Sequence, residues 1–395
     1  MKDIYREACD LKQDIIAWRR HFHANPETGT DQPETVAFVC RTLTGFGLEP
    51  KELGGGVVCL IEGERPGKTL LLRADMDALP LDEESGLPFC SKRAGINHAC
   101  GHDMHTAMLL GAAKILSERR SEICGCVKLM FQPAEELGLG AERMIDAGLL
   151  ENPKVDAAMG IHMAVALDFP TGTMTLRPGA TLASNDMFTI TVNGRGSHGA
   201  RPETAIDPIN IICHIHSMLQ TINSREIPQQ EVCVLTIGQI SGGQTPNSIP
   251  NTASMRGTIR TLRNEDRALA KKRLMEIAEG TAATLGGRAD VTFTTGMPAL
   301  INDEAMALEM EGYLREMLGD DGVGTIPLRL GSEDFARVTT AVPGVFMFLS
   351  GGSRQEGYTT GSHNPKVLYN EDSLPVGAAS HAHCAIRWLE NHSDR

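Results

Sequence analysis

The sequence lacks an excess of basic residues, a long apolar run and an apolar leader at its start. Lys and Arg total 37 against 50 Asp and Glu among 395 residues, and the net charge of −13 repels phosphate backbones and anionic lipid surfaces. We therefore expect neither a nucleic acid nor a membrane as a partner. No apolar stretch approaches the ~20 residues that a bilayer-spanning helix requires. The first residues include acidic side chains and no apolar segment with a cleavage site, which predicts a soluble, cytoplasmic protein.

The chain also lacks paired cysteine motifs, internal repeats and low-complexity segments. Its ten cysteines are scattered, and Cys124 and Cys126 are separated by one residue, which is not the spacing of a redox pair or a zinc ribbon. We interpret nine of the ten as reduced packing residues and single out only Cys100.

The length of 395 residues predicts two or three domains. In the first half and near the end of the chain, short apolar runs alternate with helical patterns, which favours an α/β fold with a mixed, mostly parallel sheet flanked by helices. The predicted strands of this part cover residues 57–61, 69–74, 126–131, 157–161 and 345–349. The predicted helices cover residues 3–24, 33–46, 102–118, 140–149, 305–318 and 374–389.

Between these parts lies a segment with a different order of elements. It comprises strand 187–192, helix 205–222, strands 231–240 and 253–261, helix 265–285 and strand 289–295. This β-α-β-β-α-β order is typical of a self-contained α+β unit of the ferredoxin-like type, and it predicts an inserted domain. The predicted division is therefore residues 1–183 and 297–395 for the α/β domain and residues 184–296 for the insert.

The densest group of potential metal ligands lies at residues 98–105, HACGHDMH, just before a predicted helix. Cys, His and carboxylate side chains bind borderline-soft divalent metals. Three histidines and one cysteine in eight residues favour a metal site over a helix start with incidental histidines. We expect His98 and His105 to orient ligands, and Asp103 to cap the helix or orient His102.

Further candidate ligands lie at the ends of predicted strands or in loops. Glu135 and Glu136 follow one strand, His162 ends another, and His363 lies in a polar loop. Functional residues of parallel sheets are often located beyond the carboxyl ends of the strands, so these side chains can lie together in one site. Taken singly, each of them is more often an ordinary packed or exposed residue.

Two carboxylate pairs complete the pattern of a hydrolytic centre. Asp75 and Asp77 alternate at the end of a strand and share one face. Glu135 and Glu136 are adjacent and point differently, which suits one ligand beside one general base. A cation lowers the pKa of bound water toward ~7, and a free carboxylate moves the proton to the leaving group.

These motifs resemble those of the aminoacylase and glutamate-carboxypeptidase family of metal-dependent hydrolases. The likeness is strongest to its amidohydrolase branch, which includes hippurate hydrolase and the plant auxin–amino-acid conjugate hydrolases. The resemblance runs nearly end to end, through residues 73–80 (RADMDALP), 98–105, 131–136 (FQPAEE), 160–162 (GIH), 194–198 (GRGSH), 258–260 (TIR), 331–335 (GSEDF) and 363–365 (HNP). It implies that the α/β domain is catalytic and that the insert is a lid or dimerisation domain.

The resemblance implies two divalent metal ions per subunit, with Glu135 as general base and Asp77 orienting a ligand. The implied ligands are Cys100, His102, Glu136, His162 and His363. Where other branches have His-x-Asp and a bridging carboxylate, this chain has Asp75 and Cys100, which is typical of the amidohydrolase branch. The occupancy of both positions and the metal itself stay open. A thiolate favours zinc, whereas His and Glu ligands tolerate manganese, nickel or cobalt.

The resemblance also implies contacts with the substrate. His198, in the turn at residues 194–198, would reach the active site of the neighbouring subunit and help stabilise an oxyanion. Asn247 would contact the substrate, and Arg260 would grip a free α-carboxylate with its guanidinium fork. Gly351 would either offer a backbone N–H to the substrate or form a plain turn.

The implied reaction is hydrolysis of the amide bond of an N-acyl-amino acid, with an acetyl, benzoyl or similar acyl group, to a carboxylic acid and a free amino acid. The alternative is a dipeptidase or aminopeptidase of the same family, which requires an unidentified partner for the substrate amine. A non-catalytic protein that keeps the fold is disfavoured because Glu135, Cys100 and His363 are present. A free sheet edge in the insert predicts a homodimer or a higher homo-oligomer.

Overall fold

The structure is a computed structural model that describes residues 4–393, without the side chain of residue 295. The predicted start of the first helix at residue 3 lies outside this range. None of the helices in the described range is both long and apolar enough to cross a bilayer. The chain forms two compact units. The first runs to Gly179 and continues over Ile301–Pro327 and from Asp334 onward, and the second comprises Ala180–Leu300 and Leu328–Glu333.

Ten α-helices and sixteen β-strands lie within residues 4–393. The helices are α1 (Ile4–Asp10), α2 (Lys12–Ala24), α3 (Pro33–Gly45), α4 (His102–Glu118), α5 (Gly140–Asp146), α6 (Pro208–Thr221), α7 (Asn264–Thr284), α8 (Glu304–Leu318), α9 (Ala336–Ala341) and α10 (Leu374–Asn391). The strands are β1 (Lys51–Leu53), β2 (Gly56–Glu62), β3 (Arg65–Asp75), β4 (Cys124–Gln132), β5 (Ala157–Ala164), β6 (Met174–Leu176), β7 (Gly179–Leu182), β8 (Asn185–Asn193), β9 (Ser197–His198), β10 (Cys233–Gly242), β11 (Ser248–Ile249), β12 (Thr252–Thr261), β13 (Arg288–Met297), β14 (Leu300–Asn302), β15 (Val323–Thr325) and β16 (Gly344–Ser350).

The first unit is built on an eight-stranded sheet with strand order β1-β2-β4-β3-β5-β16-β6-β15. The central strands β4, β3, β5 and β16 are parallel to one another, whereas β1 and β2 extend the sheet in antiparallel fashion. Strands inside a parallel sheet are apolar on both faces, and β16 is buried along its whole length. The predicted mixed, mostly parallel sheet is confirmed.

The parallel centre brings four strand ends to one edge of the sheet. Asp75 at the end of β3 pairs with Gln132 at the end of β4, and β5 and β16 end together at Ala164 and Ser350. The loops after these ends leave the regular ladder, so polar side chains there do not disturb the apolar core. This carboxyl edge is where the sheet can hold charged groups in one shared site.

Helix α4 begins near this edge and is buried on nearly all sides. It packs against α2, α10 and β3, and its buried residues include His102, Asp103 and His105 as well as apolar side chains. Gly111 permits this close packing, since a Cβ there would lie 2.8 Å from Ile15 Cδ1 and 2.9 Å from Ala378 Cβ. Helix α4 is therefore packed closely against α2 and α10.

The second unit contains a four-stranded antiparallel sheet with strand order β10-β12-β8-β13. Its apolar core joins Phe188 and Ile190 of β8 to Ile211 of α6 and Leu274 of α7. The chain order β8, α6, β10, β12, α7, β13 confirms the predicted β-α-β-β-α-β fold. Asp207 caps α6, because its carboxylate accepts the backbone N–H groups of residues 209 and 210.

Candidate metal centre

The five side chains that the sequence marks as metal ligands come from separate parts of the first unit. Cys100 and His102 lie at the start of α4, Glu136 follows β4, His162 lies in β5, and His363 lies in the loop before α10. The carboxyl edge of the sheet and the first turn of α4 bring these distant segments together. The fold thus explains how residues spread over the chain can form one group.

Cys100 lies at the centre of this group. Its Sγ is 3.5 Å from Nε2 of His162 and 3.2 Å from Nε2 of His363. One ligand atom from each of Cys100, His102 and Glu136 lies within 4.8 Å of the other two. Its sulfur therefore contacts candidate ligands from both β5 and the loop before α10.

The charge of the Cys100 side chain depends on its surroundings. Burial raises the pKa of the thiol to about 12, although the charge of His102 acts in the opposite direction. A coordinating cation deprotonates a thiol outright. If Cys100 coordinates a metal, it would lose this proton on binding, and metal affinity would then rise with pH.

Three buried polar atoms of the group lack an aligned hydrogen-bond partner within the described part of the chain. They are Nδ1 and Nε2 of His102 and Oε1 of Glu136. Nε2 of His102 faces Oδ2 of Asp75 at 3.4 Å and Oε1 of Glu136 at 3.9 Å. Buried polar groups are normally satisfied, so these atoms can accept a further partner such as a cation. Imidazole, thiol and carboxylate donors around one space fit a divalent metal ion.

Hydrogen bonds fix the tautomers of two neighbouring histidines. Nδ1 of His162 donates to Met163 O at 2.7 Å, which leaves Nε2 as the lone-pair nitrogen toward Cys100. Nε2 of His105 accepts the backbone N–H of Met163 at 2.7 Å, so Nδ1 carries the proton and donates to Asp75 Oδ1 at 2.5 Å. Both ring nitrogens of His105 are therefore occupied, and this side chain orients its neighbours.

Asp77 connects the two glutamates to His102. Its Oδ1 accepts the backbone N–H of Glu135 at 3.0 Å, and its Oδ2 accepts that of Glu136 at 3.1 Å. Oδ1 also lies 3.4 Å from Nδ1 of His102. One buried carboxylate thus fixes the backbone of the glutamate turn and faces a candidate ligand.

The glutamate turn separates the two carboxylates, as expected for adjacent residues. Glu136 joins the Cys100 group, whereas Glu135 places a carboxylate oxygen within 4.8 Å of one of Asp334. Ala134 has φ 53°, and Gly138 N–H closes the turn on Glu135 O at 2.7 Å. A left-handed alanine costs free energy, and such strain is concentrated at functional sites.

A charged network behind the centre was not anticipated from the sequence. Arg73, which is 1% exposed, places Nη1 2.8 Å from Asp75 Oδ2 and donates from Nε to Gln132 Oε1 at 2.9 Å. Gln132 Nε2 donates to Asp334 Oδ1 at 2.6 Å. The period-two spacing of Arg73 and Asp75 was the available signal, since both lie on one face of the strand.

Asp103 does not cap α4, because no side chain caps that helix. Its Oδ2 instead lies 2.7 Å from Arg19 Nε and 2.8 Å from His23 Nδ1, which links α4 to α2. His98 is buried nearby, and burial lowers its pKa to about 3. His98 is therefore neutral at physiological pH, and its expected role in orienting a ligand stays a prediction.

Within the second unit, two predicted substrate residues lie on one small ribbon. Strand β9 pairs with β11 through His198 and Ser248, and Gly199 N–H donates to Asn247 O at 2.8 Å. The His198 side chain is exposed, and its Nδ1 accepts the N–H of Ala200 at 3.1 Å. In the neutral ring this leaves the proton on Nε2, which can donate a hydrogen bond.

The two remaining predicted substrate contacts are Arg260 and Gly351, and they differ in how their donor groups are bonded within the chain. Arg260 lies near the end of β12, and its Nη1 donates to Leu330 O at 2.9 Å, which orients the guanidinium. The N–H of Gly351 donates to Ala164 O at 2.7 Å, and its carbonyl accepts the N–H of Asn370 at 2.7 Å. The expectation that Gly351 offers its N–H to a substrate is corrected accordingly, because that donor is already bonded within the chain.

Comparison with known proteins identifies the family. The model of peptidase family M20/M25/M40 matches residues 71–387. The chain is 40% identical to N-acetyl-L-cysteine deacetylase of Bacillus subtilis, over 86% of this chain and 80% of the relative. It is 38% identical to thermostable carboxypeptidase 2 of Saccharolobus solfataricus, over 98% of both chains. A solved Bacillus subtilis structure, described as a dinuclear metal binding peptidase from the M20 family, has a TM-score of 0.82 at 32% identity and covers 96% of this chain and 99% of its own.

The fold, the grouped side chains and the extent of these matches agree. The family model covers well over half of the chain, and the relatives align along most of their own lengths. The chain therefore belongs to peptidase family M20/M25/M40 and is a metal-dependent hydrolase of amide bonds.

Proposed function

We propose that this chain hydrolyses the amide bond of N-acyl-amino acids and releases a carboxylic acid and a free amino acid. One observation carries the proposal, namely the ligand set gathered at Cys100 with the buried carboxylate of Glu135 directed away from it. Similarity to an N-acetyl-L-cysteine deacetylase supports the same substrate class. The acyl group in this proposal is acetyl, benzoyl or a similar small group.

Two divalent metal ions per subunit are part of the proposal. We assign their ligands as Cys100, His102, Glu136, His162 and His363, on the basis of donor chemistry and the unsatisfied buried atoms. When bound, such ions polarise the amide carbonyl and lower the pKa of water so that it attacks at neutral pH. The similar dinuclear peptidase supports the number of ions. The thiolate favours zinc, whereas manganese, nickel and cobalt suit the other ligands.

Glu135 performs the proton transfers in this proposal. Its carboxylate takes a proton from the attacking water and passes it to the amide nitrogen as the C–N bond breaks. Asp77 holds the backbone N–H of Glu135 at 3.0 Å and also faces His102. The same carboxylate thus positions the base and a ligand, which fixes the position of Glu135 relative to His102.

The second unit supplies the substrate contacts in this proposal. The Nε2–H of His198 is a hydrogen-bond donor suited to an oxyanion, and such donors contribute about 3 kcal/mol to transition-state stabilisation. Asn247, on the same ribbon, contacts the substrate. Arg260 binds the free α-carboxylate, because a planar guanidinium matches a carboxylate through two parallel hydrogen bonds.

We also propose a homodimer in which His198 of one subunit acts on the substrate held by the other. Strand β10 is an edge of the four-stranded sheet described above, and Ile240 on it is 49% exposed. An exposed edge strand is a template for pairing with a second chain. A symmetric dimer pairs the same edge of both subunits.

A peptidase activity is the second candidate, and the 38% identity to a carboxypeptidase favours it. Both activities use a free α-carboxylate next to the scissile amide, so Arg260 serves either reaction. They differ on the acyl side, where a dipeptide carries a charged amine. A dipeptidase or aminopeptidase requires a counter-charge for that amine.

A substrate panel tests the proposal directly. The purified protein, loaded with Zn²⁺, Mn²⁺ or Co²⁺, is given N-acetyl and N-benzoyl amino acids and dipeptides with the same C-terminal residue. We expect amino acid release from the acyl substrates, loss of release with a chelator, and recovery when metal is restored. Faster turnover of the dipeptides would replace the proposal with the peptidase alternative.

The role of Glu135 is tested by Glu135→Gln, with Glu142→Gln on nearby α5 as the matched control. We expect E135Q to lose about 10³-fold or more of kcat while it retains its metal, and E142Q to keep the parent rate. Glu142 pairs with Arg337 at the surface and lies outside the centre. Activity that survives E135Q would remove the assigned base.

Subunit mixing tests the dimer. His198→Ala and Glu135→Ala proteins are each expected to be nearly inactive, and mixing them by unfolding and refolding should restore activity. Half of randomly formed dimers are hybrids with one complete site each, so about a quarter of the parent activity is expected. No recovery above the separate variants would contradict action across the interface.

A further inference from the structure

Tyr369 lies between the two loops that carry Cys100 and His363. Its side chain is buried, and its hydroxyl donates to Ala99 O at 3.3 Å. The same hydroxyl oxygen accepts from Ser362 Oγ at 2.8 Å. Ala99 directly precedes Cys100, and Ser362 directly precedes His363. One phenol therefore links the backbone next to one candidate ligand to the side chain next to another.

The carbonyl of Ala99 is the junction of this link. It accepts the hydroxyl of Tyr369 and also the backbone N–H of His363, the latter at 2.9 Å. The two loops are thus joined by a direct hydrogen bond and by a second path through the tyrosine. Their closeness matches the 3.2 Å contact between Cys100 Sγ and His363 Nε2.

His363 needs such support more than the other candidate ligands do. Its side chain is 54% exposed, whereas that of His102 is fully buried. Its φ of 61° is left-handed, a conformation that a residue with a Cβ adopts only when its surroundings impose it. Neither core packing nor backbone preference therefore places this imidazole, so hydrogen bonds must do so.

The ring of Tyr369 packs closely against the backbone at two glycines. A Cβ on Gly101 would lie 3.2 Å from Tyr369 Cζ, and a Cβ on Gly351 would lie 3.1 Å from its Cδ1. Both glycines let backbone approach the ring closely. This gives Gly351 a packing role, and it means that the hydroxyl cannot swing away from Ala99 without displacing backbone.

We propose that Tyr369 is a positioning residue whose hydroxyl sets the spacing of Cys100 and His363 for metal binding. The inference rests on the proposed ligand set. The hydroxyl touches neither substrate nor metal in this role. It acts through Ala99 and Ser362, so its loss should weaken metal binding while the apo protein stays folded.

The test is Tyr369→Phe, which keeps the ring and removes only the hydroxyl. Tyr313→Phe is the matched control, because Tyr313 is also buried and its hydroxyl accepts from Asn391 at 2.8 Å in a different part of the core. Full-length apo proteins are titrated with Co²⁺, and the thiolate-to-cobalt absorption band reports on Cys100. We expect Y369F to raise the Co²⁺ dissociation constant by about 10- to 100-fold and to change the band. Y313F should match the parent protein.

Ser362→Ala provides a second variant at an exposed position, where folding is not at risk. It removes one half of the link, so we expect a shift in the same direction as in Y369F, and no further loss when both changes are combined. Parent-like Co²⁺ affinity and spectra in Y369F and S362A would overturn the inference. A parent protein without the thiolate band would instead refute the assignment of Cys100 as a ligand, independently of Tyr369.

Discussion

A buried histidine close to the metal centre makes folding stability depend on pH. His23 of α2 places Nδ1 2.8 Å from Asp103 Oδ2 and Nε2 3.0 Å from Glu83 Oε1, with all three side chains at most 4% exposed. Both ring nitrogens face carboxylate oxygens, so only the doubly protonated ring donates to both. Burial lowers the pKa of His23, but the charge of Asp103 and the hydrogen bonds to Asp103 and Glu83 outweigh burial and leave the pKa raised.

The size of the effect follows from these contacts. Each charge-assisted hydrogen bond contributes about 1.5–3 kcal/mol, and desolvation of the imidazolium offsets part of the sum. We expect His23→Gln to lower the free energy of unfolding by about 3 kcal/mol near ~pH 6. Since the folded pKa is raised, the contribution of His23 is fully present below the unfolded pKa of ~6.5 and is lost as the pH rises through the folded value.

The assay is urea unfolding of the apo protein, with chelator present, at about pH 6 and about pH 9. The matched control is His21→Gln, two residues earlier on α2. This side chain is largely exposed, and its partial burial together with the charges of Arg41 and Lys92 lowers its pKa. A histidine pKa that is lowered in the folded state reverses the pH dependence of stability. The contribution of His21 to the free energy of unfolding should therefore decrease as the pH falls. An H23Q effect that is equal at both pH values, or larger at the higher pH, would refute the reasoning.

Three further predictions concern single contacts. Lys128→Met should lower the free energy of unfolding by about 2–4 kcal/mol in urea, because the buried ammonium donates to three backbone carbonyls at 2.8–2.9 Å. Gly101→Ala should destabilise the apo protein by roughly 1–2 kcal/mol and weaken Co²⁺ binding, since φ is +90° and a Cβ would lie 3.1 Å from Met163 Cβ. Asp75→Asn should weaken Co²⁺ binding by about tenfold in a titration, because the proton of His105 Nδ1 no longer faces a full charge.

Long elements were predictable because their patterns are repeated many times. Helix α4 begins and ends where the helical pattern at residues 102–118 predicted, and all six elements of the β-α-β-β-α-β unit were found in order. The predicted helix at residues 3–24 is instead two helices that meet at Leu11, within the described range from residue 4. Apolar periodicity continues across such a break, so the sequence pattern alone does not reveal it.

Short elements were missed for a related reason. Strands β6, β9, β11 and β15 have two or three residues each, too few for an alternating pattern to be seen. The segment Leu328–Glu333 belongs to the second unit although the sequence after residue 297 was assigned to the α/β domain. Long-range contacts decide which unit a short irregular segment packs against. Such contacts do not produce a periodic pattern in the sequence.

The candidate ligands were predictable because metal chemistry restricts residue types. Few side chains bind divalent cations, and a dense run such as residues 98–105 is uncommon by chance. The supporting residues are different, since Tyr369 and Arg73 are residue types that occur everywhere. Their roles depend on which backbone carbonyl or carboxylate they reach after folding, and beyond the shared strand face of Arg73 and Asp75 the sequence does not show these contacts.

Asp75 is surrounded by buried charged side chains that hold the residues next to the candidate ligands in place. Burial alone raises the pKa of Asp75, but Arg73, His102 and His105 outweigh burial and hold the pKa well below its usual range. Asp75 is therefore ionised in the apo protein. The charged carboxylate keeps the proton of His105 on Nδ1, and His105 then accepts the Met163 N–H beside the candidate ligand His162. These contacts hold the backbone beside the candidate ligand His162 in the apo protein, which lowers the free-energy cost of arranging that side chain on metal binding.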